Sequence, residues 1–154
     1  MTLYLVQHAE AKPREHDHQR SLSDQGRADI QKVAAFLGDR GIPVSRILHS
    51  GKLRARQTAE ALAERLKAAG GVSETDGLAP LDDPAVWASR LSEFDENLML
   101  VGHLPHMGKL AAFLVTGDAD QPVVTFKPGG VVCLERDDEG RWSLRWMVVP
   151  GIML

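Results

Sequence analysis

This sequence predicts a single-domain α/β fold in which a mixed, mostly parallel sheet is flanked by helices, and three observations carry the prediction. Apolar runs of strand length alternate with segments of helical period, the pattern of a sheet covered by helices and not of a bundle or a sandwich. The early runs, Leu3–Val6, Arg46–His49 and Leu98–Val101, are separated by helical segments, the connection that parallel strands require. The last part of the chain instead holds two adjacent runs about the turn-like Asp137-Asp138-Glu139-Gly140, which reads as an antiparallel hairpin. At 154 residues, 44% hydrophobic and 25% charged, the chain has the size of one domain covering 1–154. A chain of that size buries roughly 68–70% of its unfolded surface.

The spacing justifies each element in order. Leu3 to Val6 forms the first strand, and the polar stretch Glu10 to Arg20 is a loop. Ser23 can cap a helix in which Ile30, Val33, Ala34 and Leu37 share one face, with Gly38 and Gly41 ending it. Arg46-Ile47-Leu48-His49 is a second strand running into Ser50. Ala55, Ala59, Leu62, Leu66 and Ala69 then mark the buried face of a second helix that Gly70-Gly71 stops. A brief extended piece near Val72 and a helix around Pro84 to Leu91 follow. Leu98-Met99-Leu100-Val101 reads as a strand buried on both faces. Pro105 suits the first turn of a helix reaching Val115, since its missing N–H costs nothing there. The stretch from Gly117 to Gly130 is irregular, and in the closing hairpin, Val131 to Arg136 and Trp142 to Val149, the residues Trp142, Leu144, Trp146 and Val148 alternate onto one face.

Composition excludes several classes of function. A formal charge of −3, from 18 basic and 21 acidic residues, gives no basic balance to draw the chain to nucleic acid or an anionic membrane, so any anion site must be local. The one cysteine, Cys133, cannot pair within the chain and lies in the apolar run Val131-Val132-Cys133-Leu134, as a buried thiol would in a reducing compartment. There is no basic leader before Leu3 and no apolar stretch near the ~18 residues of a membrane span. These features set the expectation of a soluble, cytoplasmic protein.

Polar residues collect where strands end: Gln7-His8-Ala9-Glu10, Ser50-Gly51-Lys52-Leu53-Arg54 and Gly102-His103-Leu104-Pro105. Parallel strands present their carboxyl ends on one sheet edge, where ligands bind. Two of the segments lead directly into helices, whose free N–H groups and positive dipole end favour an anion, phosphate above all. A lone histidine after a strand is more often a hydrogen-bonded loop residue, and a lone Arg54 more often a solvated charge. Two histidines in equivalent places, with an arginine one turn into a third strand's helix, are hard to justify as packing. His106 can line the same site, while His16, His18 and His49 read as structural or solvated and Lys52, Arg56 and Arg65 as surface charges.

Over most of the chain, from Leu3 to about Val149, these residues resemble the histidine phosphatase superfamily, and within it the short SixA-type phosphohistidine phosphatases. Leu5-Val6-Gln7-His8-Ala9-Glu10 is similar to the family's Arg-His-Gly segment, and Ser50-Gly51-Lys52-Leu53-Arg54-Ala55-Arg56-Gln57-Thr58 to its Ser-x-x-x-Arg-Ala-x-Gln-Thr segment, the most specific of the motifs. Val101-Gly102-His103-Leu104-Pro105 is similar to its second histidine motif, and Arg20-Ser21-Leu22-Ser23-Asp24-Gln25-Gly26 to the segment leading into the first helix. The resemblance implies a phosphoglycerate mutase-like fold and a phosphohydrolase without metal or other cofactor. In that reading neutral His8 attacks phosphorus, a phosphohistidine forms, and water cleaves it. Arg54 grips the phosphate oxygens, and His103 donates to those that gain charge. Gln7, Arg20, Ser50 and His106 are the expected binding residues. The expected partner is a phosphorylated protein carrying phosphohistidine, or a small phosphate ester, with no nucleic acid and no membrane.

Two positions depart from the family. Gln7 stands where it usually has arginine, which predicts weaker phosphate binding or slower turnover, since a hydrogen bond to a charged partner is worth roughly 1.5–3 kcal/mol. Ala9 replaces a glycine and strains the turn if that position needs a positive φ. The general acid of larger members has no clear match, with Asp82, Asp83 and Glu10 as the candidates. The alternative function is a phosphate- or phosphoprotein-binding module with weak or no turnover. A metal site on His8, His103 and His106 lacks an acidic or thiol ligand at a suitable spacing.

Overall fold

The computed structural model describes residues 1–153. In chain order they form β1 (Thr2–Gln7), α1 (Asp24–Asp39), β2 (Arg46–His49), α2 (Leu53–Ala63), β3 (Val72–Glu74), α3 (Pro84–Leu91), β4 (Leu98–Gly102), α4 (His106–Thr116), β5 (Val131–Arg136) and β6 (Trp142–Val148), with a closing 3₁₀ turn at Pro150–Ile152. The six strands make one sheet in the order β3-β2-β4-β1-β5-β6. β3, β2, β4 and β1 run parallel, whereas β5 and β6 are antiparallel, which is the mixed sheet the alternating pattern implies.

Period-2 alternation divides the core between the two faces of this sheet. Tyr4 and Val6 of β1, with Met99 and Val101 of β4, pack against Ile30, Val33 and Leu37 of α1 and Ala59 and Leu62 of α2. Leu3, Leu5, Leu98 and Leu100, from the same two strands, pack on the other face against Trp87 and Leu91 of α3 and Met107 and Leu110 of α4. Because the central strands are covered on both sides, β4 is buried along its whole length.

Ser23 caps α1 by accepting the Gly26 N–H at 3.0 Å, and Asp83 caps α3 through the Ala85 N–H at 2.9 Å. α1 passes through Gly38 and ends at Asp39, with the chain turning at Gly41, where φ is +60°. α2 stops at Ala63, before the expected Gly70-Gly71, and Ala69 is exposed. Those glycines serve the sheet instead: the Gly70 N–H donates to Ser45 C=O at 2.8 Å and Gly71 C=O accepts from Ile47 N–H at 3.0 Å. The expected single face of the last strand is also corrected. The register passes from Leu134↔Leu144 to Cys133↔Trp146, so Arg145 is an extra residue in a bulge and the faces exchange there. Trp142 and Met147 pack with α3 and α4, Trp146 and Val148 pack on the other face, and Leu144 is left 42% exposed.

Candidate active site

The sheet register brings the three polar segments together. Gln7 is in register with Gly102 and His49 with Val101, so His8, His103 and Ser50 leave three adjacent parallel strands at one edge. The His8 N–H extends the β1–β4 ladder by donating to Gly102 C=O at 3.0 Å. The imidazoles of His8 and His103 lie 5.1 Å apart between centroids, tilted by 53°. Ser50 Oγ is 2.6 Å from His103 Nε2. α2 and α4 start at this edge, and neither start is closed by a side-chain cap, in contrast to α1 and α3. Their positive dipole ends lie at this edge.

Much of the middle motif positions the first. Thr58, fully buried on α2, accepts the Ala9 N–H at 3.0 Å and donates to Arg54 C=O at 2.8 Å, joining the residue after His8 to the turn that carries Arg54. Gln57 Oε1 takes the Leu22 N–H at 2.8 Å, which ties the 10–22 loop to the same helix. Gly129 adds a hold from the far end of the chain, its N–H donating to Gln7 C=O at 3.0 Å and His8 C=O at 3.3 Å. Sequence reading named none of these three as site residues, although Gln57 and Thr58 stood in the most specific motif. Gly26 is required by close approach: a Cβ there would fall on the Glu10 carbonyl oxygen, itself the acceptor of the Ser23 N–H.

His8 Nδ1 lies 2.7 Å from Ala9 C=O. A carbonyl only accepts, so Nδ1 carries the proton and Nε2 keeps a free lone pair. Burial is the main cause that lowers the His8 pKa to about 4; the Ala9 bond opposes it, and Arg54 and Arg20 add to it. Burial likewise lowers His103 to about 3, assisted by His8, Arg54, Lys52 and His106. Both imidazoles are therefore neutral at pH 7. No carboxylate figures among the charges that shift either one. Burial, then Arg20 and Arg14, also lower the pKa of Arg54, whose buried Nε has no hydrogen-bond partner. None of Lys52, Arg54, Arg20 and Arg14 pairs with a carboxylate among the described residues. A local concentration of unpaired positive charge in a net acidic protein is an electrostatic seat for an anion.

His8, His103, Arg54, Ser50 and Arg20 thus share one edge, and Gln7 underlies it with a buried Oε1 that has no partner. His106 does not line the surface. It is 0% exposed, with both ring nitrogens unpartnered, and burial lowers its pKa against the opposing pull of Asp82 and Asp83. Full burial closes a direct substrate contact to it. His49 is structural, its Nδ1 accepting the Gly51 N–H at 3.1 Å. Ala9 has no positive φ, so its β-carbon strains nothing and packs in the core instead. The three acid candidates are engaged elsewhere: Glu10 Oε1 accepts from Ser23 Oγ at 2.8 Å, Asp82 from the Ala79 N–H at 2.8 Å, and Asp83 caps α3. Among the described residues, no three His, Cys, Asp or Glu side chains are grouped to hold a metal ion, and no helix is long and apolar enough to cross a membrane.

A parallel α/β sheet with a neutral histidine pair and unpaired guanidinium groups at its carboxyl edge defines a protein of the phosphate-handling α/β class. The chain belongs to the histidine phosphatase superfamily (branch 1), whose model matches residues 3–82, and is a phosphatase. It is 24% identical over 155 residues to the phosphohistidine phosphatase SixA of Escherichia coli strain K12, an alignment covering 97% of this chain and 94% of that one. An uncharacterized protein of Picosynechococcus sp. strain PCC 7002 is 32% identical over 141 residues, covering 87% of this chain and 84% of its own. The solved structure of the protein histidine phosphatase SixA complexed with tungstate superposes with a TM-score of 0.86 at 24% identity, covering 98% of each chain. The phosphoglycerate mutase-like fold implied by the motifs is the fold these neighbours share.

Proposed function

We propose that this chain, acting as one domain over 1–154, removes phosphate from phosphohistidine in a protein through a phosphohistidine intermediate on His8. The observation that carries the reading is the His8 tautomer: the Nδ1–H held on Ala9 C=O leaves Nε2 unprotonated beside Arg54 and Arg20. Nε2 forms a bond to phosphorus as the bond from phosphorus to the substrate nitrogen breaks, and that nitrogen takes a proton from water. A second water then attacks phosphorus, its proton passes to solvent, and inorganic phosphate leaves with His8 restored. Arg54, Arg20 and Gln7 hold the phosphoryl oxygens, aided by the positive dipole ends of α2 and α4. His103 donates through Nε2, the nitrogen that now meets Ser50 Oγ, to an oxygen that gains charge.

The engagement of Glu10, Asp82 and Asp83 with other partners supports a nitrogen leaving group, which needs no strong protein acid. An open rim supports a large substrate, since Leu104, next to His103, is 42% exposed and Pro105 is also exposed. The SixA relative in complex with tungstate, a tetrahedral oxyanion like phosphate, fits the same chemistry. A cytoplasmic location suits a phosphoprotein substrate and the reduced Cys133. Gln7 favours a second reading, in which the pocket binds phosphate without turning it over.

One experiment separates them: phosphate release from a histidine-phosphorylated protein and from a small phosphate ester, by the wild type, His8→Ala and Gln7→Arg. Release that His8→Ala abolishes, and that Gln7→Arg raises by about tenfold through one added charge-assisted bond, is the expected result. Phosphate binding without release from either substrate would establish the binding module.

A further inference from the structure

Arg20 is the one non-glycine residue among those described with a positive φ, +53°, and it lies in the loop between β1 and α1. A left-handed backbone at a residue with a β-carbon is strained, and it persists only where the surroundings over-determine it. The surroundings here are largely one residue. Asp17 Oδ1 accepts the Gln19 N–H at 3.0 Å, Asp17 C=O accepts the Arg20 N–H at 2.9 Å, and Asp17 Oδ2 accepts both the Ser21 N–H at 3.0 Å and the Ser21 hydroxyl. The three oxygens of Asp17 thus take the amide hydrogens of three successive residues centred on Arg20.

The turn is closed at its base by the Lys12 N–H on Ser21 C=O at 2.8 Å and by the Ala11↔Leu22 bridge. Arg20 Nε rests on Lys12 C=O at 3.2 Å, and the Arg20 charge acts on both His8 and Arg54. Arg20 makes no ion pair among the described residues, so its guanidinium is free to meet an anion there.

We infer that Asp17 is a positioning residue for phosphoryl recognition: it clamps the 19–21 turn so that strained Arg20 presents its guanidinium to the phosphate bound between His8 and Arg54. The inference rests on the reading of His8, Arg54 and Arg20 as the phosphate site. Its Ser21 and Gln19 hydrogen bonds keep Asp17 ionised below the usual carboxylate range, so the clamp stays closed through the neutral range.

The test is a double-mutant cycle on Asp17→Ala and Arg20→Ala, read as KM and kcat for phosphate release and, independently of turnover, as the dissociation constant of inorganic phosphate. Asp17→Ala alone is expected to raise both KM and the phosphate dissociation constant by about tenfold with kcat nearly unchanged, the loss of one charge-assisted contact. Arg20→Ala should match it, and the double variant should be no worse than Arg20→Ala. Asp17→Asn, which keeps one acceptor oxygen, should fall between wild type and Asp17→Ala. Losses that multiply in the double variant, or an Asp17→Ala protein that binds phosphate as the wild type does, would overturn the inference and leave Asp17 a fold residue. If Arg20→Ala leaves phosphate binding intact while His8→Ala still abolishes release, the place given to Arg20 is wrong and the clamp falls with it. Loss of phosphate binding in Arg20→Ala without any wild-type release refutes turnover alone and leaves the clamp standing.

Discussion

Thr58→Val exposes how much one buried hydroxyl does for both the fold and the chemistry. The two side chains are nearly the same shape, so no cavity forms and the change removes only the hydroxyl. Thr58 and Ala9 are each 0% exposed, so the Ala9 N–H cannot exchange its lost acceptor for water. An amide left unsatisfied in that way costs roughly 1–3 kcal/mol. In a chain near 150 residues each kcal/mol lowers Tm by about 2–4 °C, so the expected fall is about 2–12 °C. A larger effect is expected on catalysis, because Ala9 C=O is also what holds Nδ1 of His8, the proposed nucleophile, and a displacement of an ångström can cost about 100-fold. Thermal unfolding and phosphate release, measured on Thr58→Val beside Thr58→Ser, provide the assay. Ser keeps the hydroxyl and loses one methyl group, so it should retain most activity. A Thr58→Val protein as stable and active as the wild type, or a Thr58→Ser protein as impaired as Thr58→Val, would refute the reasoning.

Two further predictions follow from buried groups. His8 and His103 are lowered to about 4 and about 3 in the folded protein from a model-peptide value of 6.5, so the unfolded chain binds their protons first. Stability from these residues is therefore complete above about pH 6.5 and is lost as pH falls toward 4; Tm should drop between about pH 7.5 and pH 5, and less so in His8→Gln, whereas a pH-independent Tm would contradict the shifts. Gly26→Ala drives a β-carbon into the Glu10 carbonyl, a backbone group that cannot swing aside, and should lower stability by about 1–3 kcal/mol or more in denaturant unfolding.

Local signals account for what was legible in the chain. β2 over Arg46–His49 and α3 over Pro84–Leu91 begin and end where the residue pattern places them. His8, His103 and Arg54 were readable because each follows an apolar strand, and the parallel register does the rest. What escaped was decided by partners remote in sequence. Thr58 meets Ala9 49 positions away and Gln57 meets Leu22 35 positions away, and neither residue type advertises such a bond. The end of α2 was misplaced because Gly70 and Gly71 answer to the β2–β3 pairing and not to the helix. His103 leaves β4 beside Ser50 whereas His106 opens α4 and is fully enclosed, a difference that their shared residue type does not announce. The bulge at Arg145 is invisible in an alternating Trp-x-Leu-x-Trp-x-Val pattern, which would have continued unbroken without the extra residue.

That bulge bears on crowding. β6 and β3 are the outer strands of the sheet, each with one unsatisfied row of amides and carbonyls that a passing chain could zip onto. β3 offers only Val72–Glu74, and Arg145 divides β6 into Trp142–Leu144 and Trp146–Val148. Neither rim provides the six or seven uninterrupted residues on which a cross-β stack grows, and the Arg145–Glu135 ion pair at 2.6 Å sets charge beside the break. The sheet is thus finite by construction, so that a chain whose proposed phosphate site opens on one edge does not extend itself along the other two.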